Sequence, residues 1–352
     1  MKKLNVAIIG CGNVSKVHFA ATVQSDKAVL RAACDVKPDR AEAAGKKYSV
    51  PHFVDYRDVL ELDLDAIHIC TPHHTHAEIA RAALKKGIHV LTEKPMAISL
   101  ADADDMIACA KTNNRYLGVI FQNRYNPSSQ AMKEVVESGE LGTLKGARAY
   151  VTWYRPDDYY SKSDWKGTWD KEGGGVLIDQ AIHTLDLLQW VVGGIDSIEA
   201  SINNRTHQLI DVEDVAEATV YFKNGTIGNI YATNYYTYDA DVMLEIHGEK
   251  GRARVEKDDA TIEVEGKDIR VVKQIQEAEA QGKSYWGVSH KTQIEAFYDA
   301  VLTGKPLEID GHEGRKALEL VRAIYYSGNN GGVRVPFPFA EPKGFMPKSL
   351  TR

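Results

Sequence analysis

The stretch Asn5-Val6-Ala7-Ile8-Ile9-Gly10-Cys11-Gly12-Asn13-Val14-Ser15 constrains the fold more than any other in the chain. Its continuous apolar run suits a β-strand covered on both faces. The run breaks at Gly10, and a helical pattern follows from Val14 to Gln24. This is G-x-G-x-x-G with Ser15 at the third position, where a small side chain still allows close helix–strand packing. Gly10 permits a tight turn, Gly12 lets a pyrophosphate approach the backbone, and the helix N-terminus offers its partial positive charge. A second β-like run, 28–34, ends in Asp35. A carboxylate about 20 residues beyond the glycines can hydrogen-bond the ribose hydroxyls of adenosine and repel a 2'-phosphate. The expected cofactor is therefore NAD, with NADP disfavoured. Arg40, on the next helical stretch, is the residue that could instead meet a phosphate. The other reading of Asp35 is a turn or helix-capping acid.

Strand and helix patterns then alternate. Residues 66–70, 88–91 and 116–121 read as strands, 76–86 and 99–111 as helices. This order specifies a doubly wound parallel α/β sheet, in which ligands bind beyond the carboxyl ends of the strands. Gly10, Gly12, Asn13, Val14, Asp35, Arg40, Thr71, Pro72, His73, His76, Glu93, Lys94 and Gln122 are the expected cofactor contacts. His73, His74 and His76 lack a Cys, Asp or Glu partner at metal-ligand spacing, so no metal is expected. Lys94 follows the strand 88–91 and is restricted by Pro95 to an extended backbone. Beside a nicotinamide, its ammonium can stabilise a developing alkoxide. A solvated lysine paired with Glu93 is the plainer alternative.

The second half is expected to differ. Gln122-Asn123-Arg124 marks an ordered crossing between domains, and residues 155–169 are rich in Tyr and Trp with interspersed cations. Such a stretch suits a sugar ring or nucleotide-sugar, or else an aromatic subunit contact. Gly173-Gly174-Gly175 then leads into an apolar helix pattern carrying Asp179 and His183, four residues apart and so on one helical face. A carboxylate beside an imidazole can move a proton near neutral pH. Six consecutive strand patterns between 196 and 264, with Asn224-Gly225 as a hairpin signal, indicate an α+β half with a large, mostly antiparallel open sheet. His290, after Tyr285-Trp286-Gly287, reads more as a helix-start residue than as a site residue. The expected domains are 1–122, 123–335 and a C-terminal tail, 336–352.

Taken together, Gly10-Cys11-Gly12, Cys70-Thr71-Pro72 with His76, Glu93-Lys94-Pro95, and Gly173 to His183 followed by Asp186 resemble the Gfo/Idh/MocA dehydrogenases. The resemblance covers nearly the whole chain. It implies a cis Lys94–Pro95 peptide, catalytic roles for Lys94, Asp179 and His183, and oligomer contacts through the open sheet. The expected function is NAD-dependent oxidation of a secondary hydroxyl of a sugar, cyclitol or nucleotide-sugar, at C3 in the branch that residues 121–127 and 165–169 resemble. In that scheme His183 is the general base, Asp179 orients it or binds a neighbouring hydroxyl, and Lys94 bonds the reacting oxygen. Asn123, Arg124, Tyr154, Arg155, Tyr159 and Trp165 complete the expected substrate contacts, with Arg124 and Arg155 as candidate diphosphate ligands. The alternatives are an NAD-sensing regulator without catalysis and a glycosidase using NAD transiently.

Composition narrows the partners. A net charge of -6 gives no basic field for nucleic acid or for a membrane surface, and no apolar run nears the ~20 residues that span a bilayer. The four cysteines have no metal-type spacing and read as reduced thiols, so a cytoplasmic protein is expected, and the resemblance implies a homodimer or homotetramer through the open sheet.

Overall fold

The computed structural model describes residues 3–273 and 289–351. These residues form two compact units, 3–122 with 289–315, and 123–273 with 316–351. Tyr285, Trp286 and Gly287 lie outside the described residues.

In the first unit β1 (Leu4–Ile9), α1 (Ser15–Gln24), β2 (Ala28–Cys34), α2 (Pro38–Tyr48), β3 (His52–Phe53), α3 (Tyr56–Val59), β4 (Ala66–Ile69), α4 (His76–Lys85), β5 (His89–Thr92), α5 (Leu100–Thr112) and β6 (Leu117–Val119) follow one another. The six strands pair in parallel in the order β3-β2-β1-β4-β5-β6. That order is the doubly wound dinucleotide-binding arrangement, with its switch point between β1 and β4. Strand interiors such as Val6, Ala7, Ile8, Ile67 and Ile69 are wholly buried, as the unbroken apolar runs require.

The second domain is not the continuous span 123–335. The helix His290–Thr303 belongs to the first unit. Its Ile294, Phe297 and Tyr298 recur at helical spacing, are fully buried, and pack in one core with Leu4, Val6, Ala21, Leu91 and Ile120. Burying each such side chain is worth roughly 2–3 kcal/mol, so this apolar stripe overrides chain order.

The second unit begins with α6 (Pro127–Glu137), β7 (Leu144–Thr152), α7 (Asp157–Ser161), a π-helical turn (Leu177–Ala181) and α8 (Ile182–Val192). Then come β8 (Ile195–Asn203), β9 (Val215–Phe222), β10 (Ile227–Thr233), β11 (Met243–Gly248), β12 (Gly251–Glu256), β13 (Asp259–Val264) and β14 (Arg270–Val272). The first unit's His290–Thr303 is α9, and α10 (Gly311–Asn329) and β15 (Val335–Pro336) complete the chain. Nine strands join in the order β14-β13-β12-β11-β7-β10-β9-β8-β15. Every pair is antiparallel except β7–β10. Helices α6 and α8 pack on this sheet. Val220, Ala218, Ile230 and Ile246 are buried, and alternate residues such as Glu217 and Asn229 are exposed.

The C-terminal segment is strapped to the second unit. β15 pairs with β8, the Phe339 N–H donates to Glu319 at 2.6 Å, and the Leu350 N–H donates to the Asp211 carbonyl at 2.9 Å.

Candidate active site

The glycine loop has the shape a dinucleotide needs. Gly10 has φ +96°, and a Cβ there would sit 2.4 Å from the Cys70 carbonyl oxygen, so only glycine fits. A Cβ on Gly12 would meet nothing within 4 Å, which leaves room beside the loop. Ser15 Oγ donates to the Gly12 carbonyl at 2.7 Å and holds the turn into α1. Asp35 ties the loop to β2, accepting the Cys11 N–H at 2.8 Å on one oxygen and the Lys37 N–H at 2.9 Å on the other. Each oxygen keeps a second lone pair for a ribose hydroxyl. Asn13 and Arg40 are exposed and Val14 is half-buried. This chain can hold NAD through the Gly12 gap, the α1 N-terminus and Asp35.

The loops after β4 and β5 are pinned together by one histidine. His76 is fully buried, with Nε2 2.8 Å from the Thr71 carbonyl and Nδ1 2.8 Å from the Pro95 carbonyl. Both contacts are to acceptors, so the ring serves the backbone. Burial lowers its pKa, against the pull of the two carbonyls. Thr75 Oγ1 donates to Thr71 Oγ1 and lies 2.7 Å from the Pro72 carbonyl. His73 is buried in the same turn. The Lys94–Pro95 peptide is cis, and Lys94 is half-buried at this edge. Among the described residues, no cluster of three or more His, Cys, Asp or Glu is placed to hold a metal ion.

In the second unit the glycine triplet is shaped by what lies against it. A Cβ on Gly174 would sit 2.0 Å from the Tyr325 hydroxyl, and one on Gly175 would sit 2.0 Å from the Glu213 carbonyl oxygen. The Glu213 carboxylate accepts the Gly175 and Leu177 N–H groups at 2.8 and 3.0 Å and the Tyr325 hydroxyl at 2.9 Å. It caps the π-helical turn that carries Asp179. Such wide turns are frequent at functional sites. Burial pushes the Glu213 carboxyl up to about 7 despite these donors.

Asp179 is the hub of a polar cluster. Its Oδ2 accepts from Lys166 Nζ at 2.5 Å, the Tyr159 hydroxyl at 2.8 Å and Gln180 Nε2 at 2.7 Å. Lys166 Nζ also lies 3.4 Å from Glu172 Oε1 and over the rings of Tyr159 and Trp165, at 4.6 and 4.4 Å. Burial disfavours the Lys166 charge, but Asp179, Tyr159 and Glu172 outweigh it and hold the ammonium well above its usual range. Burial raises the Glu172 carboxyl, so it resists ionising beside the Lys166–Asp179 pair. His183 is half-buried one turn onward. Lys166, Glu172 and Gln180 were not assigned from sequence. The signal for Lys166 is its position between Trp165 and Trp169.

Two expected substrate ligands have other employment. Arg124 is buried and bonds Asp186 in a fork, at 2.8 and 2.6 Å, with its guanidinium over the Trp190 ring. This pairing gives it the place of a strut within the second unit. Arg155 is buried, with Nη1 2.9 Å from Asp239 Oδ1 and its guanidinium over Trp153 and Tyr159, so it too braces the aromatic loop. Tyr154 is exposed, Trp165 half-buried and Gln122 buried. The buried Oδ1 of Asn123 has no hydrogen-bond partner among the described residues, which suits an acceptor for a ligand hydroxyl.

Two family models match the chain. The model described as an oxidoreductase family with an NAD-binding Rossmann fold covers residues 4–121, and the GFO/IDH/MocA C-terminal domain covers 129–254. The chain is similar to the WlbA dehydrogenase of Bordetella pertussis, whose crystal structure is in complex with NADH and UDP-GlcNAcA. The two are 31% identical, with 96% of this chain and 100% of that one covered and a TM-score of 0.84. It is 27% identical to myo-inositol 2-dehydrogenase of Thermotoga maritima, over 90% of this chain and 94% of that protein. It is 29% identical to D-glucoside 3-dehydrogenase of Escherichia coli, over 93% and 96%. No helix among the described residues is long and apolar enough to cross a membrane.

Proposed function

The chain belongs to the Gfo/Idh/MocA family of NAD-dependent oxidoreductases acting on CH–OH groups, and we propose that its substrate is a polyhydroxylated ring, free or nucleotide-linked, oxidised at a secondary hydroxyl. In a pyranoside that hydroxyl is the one at C3. The observation that carries this reading is Lys94, half-buried at the carboxyl end of β5 on a loop held through His76. When bound, NAD supplies the acceptor for the hydride that leaves the carbinol carbon. His183 takes the hydroxyl proton as general base, the role an imidazole can serve near neutral pH. Lys94 donates a hydrogen bond to the same oxygen and stabilises the charge that develops as the carbonyl forms. Asp179 presents a fixed acceptor, Lys166 a donor and the Tyr159 hydroxyl oxygen, whose proton goes to Asp179, a second acceptor, a set suited to neighbouring ring hydroxyls.

The test is NADH formation against inositols, hexoses, glucosides and UDP-sugars, with NAD and NADP in parallel. Net NADH from at least one polyhydroxylated ring, with NAD preferred, is expected. Sugar release without net NADH would make the protein a redox glycosidase. Neither product, with NAD still bound, would make it a regulator.

A further inference from the structure

The first unit contains a buried line of titratable groups that the proposed chemistry does not use. Glu93 Oε1 lies 2.9 Å from His18 Nε2, and Glu93 Oε2 accepts the Lys94 N–H at 3.2 Å. His18 Nδ1 faces His68 Nδ1 at 3.0 Å, and His68 Nε2 faces the Tyr298 hydroxyl at 3.1 Å. The Tyr298 hydroxyl lies 2.9 Å from Thr22 Oγ1, which donates to the His18 carbonyl at 2.8 Å. His18, His68, Tyr298 and Thr22 are fully buried, and Glu93 is 5% exposed. The line joins α1, β4, α9 and the end of β5, so four elements converge on one carboxylate.

Proton accounting limits what this line can hold. The contact between the two Nδ1 atoms needs one proton, and the carboxylate needs a donor from His18 Nε2. With His18 and His68 both neutral, His68 donates to His18, Tyr298 donates to His68, and Glu93 keeps its negative charge. One further proton makes His18 an imidazolium. The bonds then run the other way, from His18 to His68 to Tyr298 to Thr22, and the Glu93–His18 pair becomes neutral overall. The remaining groups facing the pair are His290, whose Nε2 is 3.7 Å from Glu93 Oε1, together with Cys70, His76 and Lys94. Burial raises the Cys70 thiol well above its usual range and keeps it uncharged. Burial lowers His18 and His68, whereas the donors on Glu93 outweigh its own burial and hold it well below the carboxylate range.

We propose that His18, His68 and Tyr298 are positioning residues that hold a negative charge on Glu93 at the nicotinamide end of the cofactor site, favouring the cationic oxidised ring over the neutral reduced one. In the strand order seen here, the end of β5 serves the nicotinamide half and β2 the adenosine half. A buried carboxylate discriminates between a cation and a neutral ring far more strongly than one in water. The His18 proton then tunes this preference, which weakens as the pH falls. The proposal rests on placing Glu93 at the cofactor, not on the roles of Lys94 or His183, so a failure of the catalytic assignment leaves the readout intact.

The experiment measures dissociation constants for NAD+, NADH and ADP-ribose between pH 4.5 and 9 and needs no turnover. In the wild type the ratio of the NADH constant to the NAD+ constant is level at neutral and alkaline pH and falls toward the acid end, since burial lowers the His18 imidazole. Glu93→Gln lowers the ratio about tenfold at high pH and flattens its pH dependence. His18→Gln retains a donor to Glu93 but lacks the titrating proton, so its ratio stays high at all pH. Tyr298→Phe keeps the ring in the core and displaces the transition along the pH axis. ADP-ribose affinity reports any loss of fold, and stays within about twofold in each variant. A wild-type ratio independent of pH, or a Glu93→Gln ratio within twofold of wild type, overturns the proposal.

Discussion

Arg124 and Asp186 show how a single pairing decides a residue's role. A guanidinium with its fork on a buried carboxylate has little left to offer a ligand, and its removal strands a charge. Arg124→Leu is therefore expected to lower unfolding stability by about 3–5 kcal/mol, read by denaturant melts, with the KM for substrate little changed. A several-fold rise in KM at undiminished stability would restore Arg124 to the binding site. The residues most legible in the sequence were those whose function is local. Gly10 and Gly12 announce a phosphate turn because strand, glycines and helix are adjacent in the chain. Arg124 is opaque because Asp186 is 62 residues away. Lys166 was visible as a cation among aromatics, but its contact with Asp179, across residues 166–179, depends on the loop between them.

At the scale of elements, the Gly173–His183 stretch proved less regular than its spacing implied. The chain enters through a π-helical turn and becomes α-helical only at Ile182. Periodicity cannot foresee this, since the wide turn is capped by Glu213, itself held by the Tyr325 hydroxyl, both remote in sequence. The capping has a measurable consequence. Glu213 is pushed up to about 7 by burial from an ordinary 4.5. The folded state therefore binds a proton more tightly than the unfolded chain. Its contribution is greatest below pH 4.5, declines as the pH rises, and has fallen by roughly 3 kcal/mol above pH 7. Glu213→Gln should show a shallower loss of thermal stability between pH 5 and 8 than the wild type. Parallel profiles would mean that Glu213 titrates normally. The parallel β7–β10 pair was equally hidden, because consecutive strands read as antiparallel until a crossover is seen.

At the scale of the whole molecule, the α/β and α+β halves were readable from alternation and from the run of strands. The return of α9 to the first unit was not, because only its buried Ile294, Phe297 and Tyr298 place it there. The open sheet face carries the Arg148–Glu245 and Arg252–Glu263 pairs, Tyr150 against Tyr231, and Ile227, 52% exposed. The family resemblance implies self-association, and this face is where it is expected. Sedimentation should give a dimer or tetramer for the wild type and a lighter species for the double variant Tyr150→Glu, Ile227→Glu. A wild-type monomer would refute this.

The central claim is that Lys94, carried at the cofactor end of β5, acts on a ring hydroxyl being oxidised by NAD. The direct measurement is NADH formation by Lys94→Met and wild type with the best ring substrate, alongside the NADH dissociation constant of each. The account predicts a loss of turnover of at least about 100-fold with NADH binding unchanged. Turnover within about twofold of wild type would contradict it.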